Sequence, residues 1–223
     1  TALILGNFIV DGPSYQLRPI NNVIVEENIV FKKGTPRRII KLNGKILSLL
    51  TGGAGNDNYF HWMYDVLPRI GLCEEIFDIS KIDYFLLPSL EKSFQNETLD
   101  MLKIPESKRL SSKIYRHIVG SEIIVTEHPY CIKNDASNDI QNIPIWISQW
   151  LKKKYLHKKD DNLKTGKKIY IDRSDTKSNM GNLRSIINEE EVKEFLNTQG
   201  FETLTLGNFS FSGQVKIMNN AEI

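Results

Sequence analysis

The sequence predicts an α/β protein that contains a parallel, Rossmann-like sheet. The main observation is the alternation of strand and helix patterns near its end: KKIYIDR indicates a strand, NEEEVKEFLNTQG a helix ending at Gly200, and FETLTL the next strand. Strands that are separated by helices usually pair in parallel. A second observation is a helix predicted over residues 58–77, which is apolar around most of its circumference and is therefore expected to be buried.

The earlier elements are predicted from β-branched residues and from turn signals. The first fifty residues predict a strand-rich meander, in which Asn43-Gly44 between two apolar runs indicates a hairpin turn. KIDYFLLP predicts a short buried strand, and residues 89–102 predict a helix. IYRHIVGSEIIV predicts a pair of strands around Gly120, and residues 143–157 predict a further helix.

Length and composition place the chain among soluble globular proteins, with room for one large domain or two small ones. It has 223 residues, 40% hydrophobic and 25% charged, with a net charge of +2. A lysine-rich run predicts a boundary between an N-terminal domain of residues 1–157 and a C-terminal domain of residues 158–223. The sequence ends where a strand is expected to begin, so the second domain is expected to be incomplete. So small a net charge, without a recognisable module, disfavours nucleic-acid binding.

Cysteine usage and hydropathy indicate the compartment. Cys73 and Cys131 lie far apart, and Cys73 falls on the apolar helix, where a buried thiol is expected. The sequence therefore predicts a reducing compartment rather than a disulfide framework. It shows no apolar run of membrane-spanning length and no signal-peptide pattern. The expected location is the cytoplasm, with peripheral association at the inner face of a membrane as an alternative.

Four polar side chains recur at spacings of three and four in the stretch NYFHWMYDVLPRI: Asn58, His61, Asp65 and Arg69. On an α-helix they fall within an arc of roughly 80°. Buried charges are costly unless paired, so the stripe either pairs internally or faces a water-filled cleft. Internal pairing would join His61 to Asp65 and Asp65 to Arg69. In the functional alternative, the carboxylate and the imidazole together remove a proton from a substrate hydroxyl.

A second candidate site lies where the predicted strand KKIYIDR ends, because ligands collect at the carboxyl ends of parallel strands. Arg173 stands there, and the alternative is a surface ion pair between Arg173 and Asp175. Asn188 is expected to cap the next helix, with Glu191 completing a capping box.

Three stretches in the same order resemble glycosyltransferase family 61: NYFHWMYDVLPRI, IYIDRSD and the run from RSIINEEEV to NNAEI. That family includes bacterial capsular polysaccharide biosynthesis enzymes and eukaryotic O-linked sugar transferases. The resemblance implies a GT-B-like fold of two Rossmann-like domains. It also implies an inverting, metal-independent enzyme that moves a sugar from a nucleotide-sugar to a glycan hydroxyl.

The resemblance assigns roles to individual residues. His61 and Asp65 match the family's His and Asp; Asp65 is the first choice for the catalytic base, and His61 is the second choice or its partner. Asn58 and Arg69 would bind the acceptor. Arginine suits a diphosphate because its planar fork grips phosphate oxygens. The predicted donor-binding residues are Arg173, Arg184 and Glu189.

The implied partners are a nucleotide-sugar donor, for which UDP is one candidate nucleotide, and a saccharide or lipid-linked glycan acceptor. No metal or other cofactor is expected, since the histidines lack metal-ligand spacing and no Cys/His cluster occurs in the sequence. Two other interpretations stay open. One is a non-catalytic carbohydrate-binding or scaffold protein on the same fold. The other is a different nucleotide-binding α/β enzyme, which would need a phosphate loop that the sequence does not show.

Overall fold

A computed structural model describes residues 4–5, 8–9, 38–51, 55, 57–130, 140–156, 168–175 and 186–222. The chain divides into two compact units, Thr1–Lys154 and Tyr155–Ile223. The predicted boundary after residue 157 lies outside the described residues, as do most of the predicted N-terminal meander, Cys131 and Arg184.

The first unit is organised around a parallel sheet. A short antiparallel pair, β1 (Ile4–Leu5) and β2 (Phe8–Ile9), precedes it. The sheet's four described strands are β3 (Ile40–Ser48), β4 (Tyr84–Leu87), β5 (Arg109–Ser111) and β6 (Ile118–Val125). They run parallel in the spatial order β5-β4-β3-β6. The core of this sheet joins Ile46, Leu86 and Leu110 from three adjacent strands.

Helices connect these strands. The predicted helix over residues 58–77 has three parts: α1 (Tyr59–His61), a π-helical turn (Trp62–Val66) and α2 (Pro68–Glu74). We call residues 59–74 the site helix. The other helices of the first unit are α3 (Ser93–Met101) and α4 (Ile145–Tyr155), both shorter than predicted. Short 3-10 turns lie at Ile79–Lys81, Glu106–Lys108 and Ile140–Asn142.

The predicted hairpin at Asn43-Gly44 is wrong. Both residues lie inside β3, which continues through them and pairs with β6 on either side. Gly44 has a positive φ of 130°, which glycine adopts more readily than other residues, and the register shift between Leu42 and Lys45 shows that the chain bulges there. Asp83 stabilises the bulge, because its Oδ2 accepts a 2.7 Å hydrogen bond from the Lys45 amide.

The predicted pair of strands around Gly120 is also wrong, because β6 is continuous through that residue. Gly120 stands opposite Leu42 of β3, and a Cβ added to it would lie only 2.5 Å from Cδ1 of Ile46. The glycine therefore makes room for a core side chain of the neighbouring strand instead of a turn.

The strand order creates a switch point between β3 and β6. From β3 the chain moves to β4 and then β5 on one side of β3, whereas β6 pairs with its other side. Because β3 and β6 are parallel neighbours, the segments that follow them start at the same edge of the sheet, at the carboxyl ends of these two strands. Ligands of open α/β sheets bind at this kind of position.

The second unit is a smaller α/β unit. Its strands β7 (Ile169–Ile171) and β8 (Glu202–Leu204) pair in parallel, which confirms the parallel pairing predicted from the strand–helix–strand pattern. Helix α5 (Glu189–Thr198) connects them, and α6 (Phe211–Asn220) follows a 3-10 turn at Leu206–Asn208. Gly200 ends the α5 connection with a φ of 78°, as expected for a glycine after a helix.

Other predictions concern the thiol and the membrane. Cys73 is buried and free, as expected from its place on the apolar helix.

Among the described residues, no helix combines the length and apolarity needed to cross a membrane.

Candidate active site

The site helix follows β3 in sequence and is hydrogen-bonded to the segment after β6. Asn58 caps it: its side-chain oxygen accepts a 3.3 Å hydrogen bond from the amide of His61. This satisfies one of the amides that the first turn leaves unpaired. Asn58, predicted to bind substrate, thus caps the helix, and the residue is exposed.

Pro68 explains the π-helical turn. Proline has no amide proton, so it cannot donate to the carbonyl four residues before it. The Leu67 amide instead donates to the Trp62 carbonyl at 3.1 Å, one residue further back than in an α-helix, and Pro68 begins α2. Wide turns of this kind occur often at functional sites. Here the turn contains Asp65.

Asp65 is the centre of a buried polar network. Its side chain is 2% exposed, and its Oδ2 lies 2.8 Å from Nδ1 of His61. Nε2 of His128 lies 3.6 Å from the same oxygen. The hydroxyl of Tyr130 donates a 2.7 Å hydrogen bond to Oδ1. Both oxygens of the carboxylate are therefore occupied by protein groups.

The hydrogen bonds determine which nitrogens carry protons. Nδ1 of His128 accepts from the Tyr130 amide at 3.3 Å, which puts the His128 proton on Nε2, facing Asp65. An ionised carboxylate only accepts, so Nδ1 of His61 also carries a proton. Nε2 of His61 then has its lone pair free. No described residue hydrogen-bonds to that nitrogen, and the side chain is 29% exposed.

The network keeps Asp65 charged. Burial on its own raises the pKa of the Asp65 carboxyl, but contacts with His128, Tyr130 and His61 outweigh it and hold that pKa below its usual range. A charged carboxylate behind an imidazole fixes the ring and stabilises the proton that the ring takes up. The arrangement is therefore suited to general-base chemistry at Nε2 of His61.

Arg69 lies behind this network and is 2% exposed. Its Nε donates to the backbone carbonyl of Asp65 at 3.1 Å, and its Nη1 donates to the carbonyl of Thr126 at 3.0 Å. The contact with Asp65 thus involves the main chain, not the carboxylate expected from internal pairing. Arg69 joins the site helix to the residues after β6 and so holds the two halves of the network together.

Sequence reasoning missed His128 and Tyr130. Their rings pack edge to face with centroids 4.6 Å apart, directly after the end of β6. Their position in the sequence could have indicated a site. They follow the strand pattern IVGSEIIV by a few residues, and ligands collect at the carboxyl ends of parallel strands.

The predicted donor residues lie in the second unit, where β7 ends. Arg173 is exposed, and its amide donates to Oε1 of Glu189 at 3.0 Å; the Tyr170 hydroxyl is 3.2 Å from the same oxygen. Glu189 thus holds the strand end to α5. Arg184 lies outside the described residues. Asp175, the alternative partner of Arg173, accepts a 3.0 Å hydrogen bond from the Gly207 amide.

The predicted capping box at α5 is wrong. The side chain of Asn188 makes no cap hydrogen bond, because its backbone, with φ −108° and ψ 40°, is outside the extended region that a cap adopts. The Asn188 side-chain amide instead lies 3.4 Å from Oε2 of Glu191.

Asp172 is a buried carboxylate at the end of β7. Thr205 donates to it at 2.7 Å, Ser174 at 3.0 Å, and the Lys193 ammonium lies 3.3 Å away. Burial raises the pKa of the Asp172 carboxyl, but the hydrogen bonds lower it by more. The pKa is therefore held below its usual range. The cluster ties both strand ends to α5 through side chains.

Within the part of the chain that the structure describes, no group of three or more His, Cys, Asp or Glu side chains is arranged to hold a metal ion.

A parallel sheet with a His–Asp pair at its switch point is typical of an α/β enzyme. A family model for glycosyltransferase family 61 matches residues 59–223, which include the site helix, His128 and the whole second unit. The chain therefore belongs to glycosyltransferase family 61. No curated protein and no solved structure gave a significant match.

Proposed function

We propose that this protein is an inverting glycosyltransferase in which His61 is the catalytic base and Asp65 its positioning partner. The observation that carries the proposal is the contrast between the two side chains. Both oxygens of Asp65 contact protein groups in a buried site, whereas Nε2 of His61 belongs to a partly exposed ring. The preference therefore moves from Asp65 to His61.

The proposed reaction is a single displacement. Nε2 of His61 takes the proton of an acceptor hydroxyl, and the hydroxyl oxygen forms a bond to the anomeric carbon of the donor sugar. The bond between that carbon and the nucleotide diphosphate breaks, and the diphosphate leaves with the electron pair. Asp65 stabilises the imidazolium that forms, because an opposite charge at hydrogen-bond distance favours the protonated ring.

The remaining features of the proposal rest on the family. The donor is a nucleotide-sugar, with UDP as one candidate, and Arg173, Arg184 and Glu189 are proposed to hold it in a GT-B architecture without a metal ion. Of these three, the structure supports Arg173 best, since it is exposed at a strand end. The acceptor is a surface or capsular glycan or its lipid-linked precursor, built in the cytoplasm at the inner face of the membrane.

Two measurements test the proposal. The first is nucleotide release from UDP-, GDP- and CMP-linked sugars in the presence of mixed saccharide acceptors. We expect His61→Gln to reduce release about 10²- to 10⁴-fold, the range for loss of a general base. His117→Gln is the matched control, because His117 lies next to the opposite end of β6.

The second measurement is calorimetric titration with UDP, GDP and CMP. One nucleotide should bind, and Arg173→Ala should weaken its binding without changing the fold. Saccharide binding without nucleotide binding or release would favour the non-catalytic alternative. Release that is unaffected by His61→Gln would contradict the assignment of the base.

A further inference from the structure

Three aromatic rings form a continuous, partly exposed surface on one side of the site helix. Phe60 and Tyr64, one turn apart, stack with ring centroids 4.9 Å apart and an interplanar angle of 20°. The ring of His61 meets Phe60 edge to face at 5.5 Å. All three side chains are half-buried, so each presents part of its ring to solvent. We call Phe60 and Tyr64 the aromatic platform.

The opposite side of the helix already supplies the packing. Trp62 is fully buried, and its indole donates a 2.9 Å hydrogen bond to Thr98 of α3. The rings of Tyr59 and Trp62 both meet Phe94 edge to face. The helix is therefore fixed to α3 without the platform. The two partly exposed rings lie next to the candidate base, where a ligand of the site could contact them.

We propose that the aromatic platform is the acceptor subsite and binds the apolar face of a pyranose ring. The proposal rests on the proposed function and names the chemical class that the site takes. The face of an aromatic ring carries negative charge, and the axial C–H groups of a sugar, polarised by the neighbouring oxygens, are weak donors to it. A sugar stacked on Phe60 has its ring edge, and so its hydroxyls, directed towards the adjacent His61.

The Tyr64 hydroxyl adds a polar contact at the rim of the platform. No described residue hydrogen-bonds to it, so it is available to a hydroxyl of the sugar. Ligand sites usually combine aromatic walls with a few polar groups that fix orientation. The platform with Tyr64 and His61 has this composition, which is suited to a ligand with an apolar face and a polar edge.

A nucleobase is the other flat group that stacks on aromatic rings. A nucleotide whose base stacked there would need a cation for its diphosphate nearby. The nearest arginine on the helix, Arg69, is buried and donates to backbone carbonyls. The charge at this place therefore favours a neutral sugar over a nucleotide.

Saturation-transfer NMR tests the proposal with a panel of methyl pyranosides of gluco, galacto and manno configuration, and with UDP as the competing occupant. At least one pyranoside should receive saturation, strongest at its ring C–H protons. Phe60→Leu and Tyr64→Leu should each weaken its binding about fivefold, the effect of losing one aromatic contact. Phe60→Tyr keeps a stacking ring and should retain binding.

The matched control is Phe209→Leu, which removes a 38% exposed ring in the second unit and should leave pyranoside binding unchanged. The proposal is overturned if no pyranoside binds, if folded Phe60→Leu and Tyr64→Leu bind as the wild type does, or if these variants lose UDP instead.

These outcomes separate the platform from the proposed function. If nucleotide release depends on His61 but the platform variants leave the acceptor KM unchanged, the platform fails and the function stands. If the platform binds pyranosides but the wild-type protein releases no nucleotide from any donor, the function fails and the platform stands.

Discussion

The hydroxyl of Tyr130 donates a 2.7 Å hydrogen bond to Oδ1 of Asp65, across 65 residues of sequence. The two residues meet because β6 pairs with β3, so that the segment after β6 returns to the start of the helix that follows β3. With His61 and His128 on the other oxygen, the bond leaves Asp65 charged and fixed in place. The consequences can be measured.

Tyr130→Phe removes one donor to a buried carboxylate. We expect the variant to lose about 2 kcal/mol of unfolding free energy in urea, as for other hydrogen bonds to charged groups. The pKa of Asp65, followed by carboxyl NMR, should rise. Tyr84→Phe is the control, since Tyr84 is a half-buried tyrosine of the same unit and no described residue hydrogen-bonds to its hydroxyl. Equal losses in both variants would contradict the assigned role of Tyr130.

The lowered pKa of Asp65 predicts how stability depends on pH. Because this pKa is lower in the folded than in the unfolded protein, the stabilisation is complete above the unfolded value of about 3.9. It is lost as pH falls through the folded value. Urea unfolding at several pH values should therefore show a shallower decline below about pH 5 for Asp65→Asn than for the wild type. Parallel declines would show that the network does not depend on the charge.

Asp65→Asn also tests how Asp65 acts on His61. An asparagine offers the ring an oxygen but no charge, so the imidazolium formed in the reaction is no longer stabilised. We expect nucleotide release to fall at least about 100-fold while nucleotide binding is kept. An increase in KM with unchanged kcat would instead indicate that Asp65 serves only in binding.

Arg69→Met should separate positioning from chemistry. The substitution keeps apolar volume but leaves the carbonyls of Asp65 and Thr126 without this donor, and we expect a loss of about 3 kcal/mol in unfolding free energy. Arg116→Met is the control: Arg116 is exposed and donates to one local carbonyl, so its loss should be within about 0.5 kcal/mol. A stable Arg69→Met with normal activity would contradict the positioning role.

Gly120→Ala tests the close approach of β3 and β6. The new methyl group would meet Cδ1 of Ile46 in the core, so we expect a loss of about 1–3 kcal/mol by thermal or urea unfolding. Gly213→Ala is the comparison, because the atom nearest to an added Cβ is the Ser210 hydroxyl at 3.2 Å and alanine favours helices. The Gly120 variant should be clearly the less stable of the two.

The sequence by itself determined the features that depend on local patterning. The apolar helix, its contact between His61 and Asp65 at i and i+4, and the parallel pairing of β7 with β8 all follow from residue spacing. So does the start of α2 at Pro68, since a residue without an amide proton fits the first turn of a helix. The family was also predicted from the sequence, because its motifs are contiguous and can be recognised without the contacts between distant residues.

The tertiary structure alone decided what depends on residues that are far apart in sequence. Asn43-Gly44 has the composition of a hairpin turn, but glycine adopts a positive φ in a bulge as readily as in a turn, so the dipeptide alone does not distinguish them. Strand pairing on both sides of it makes it a bulge. His128 and Tyr130 carry no local pattern that links them to Asp65. Only the order of strands brings them there, where the Tyr130 hydroxyl and the His128 ring contact the carboxylate and help to hold the pKa of Asp65 below its usual range.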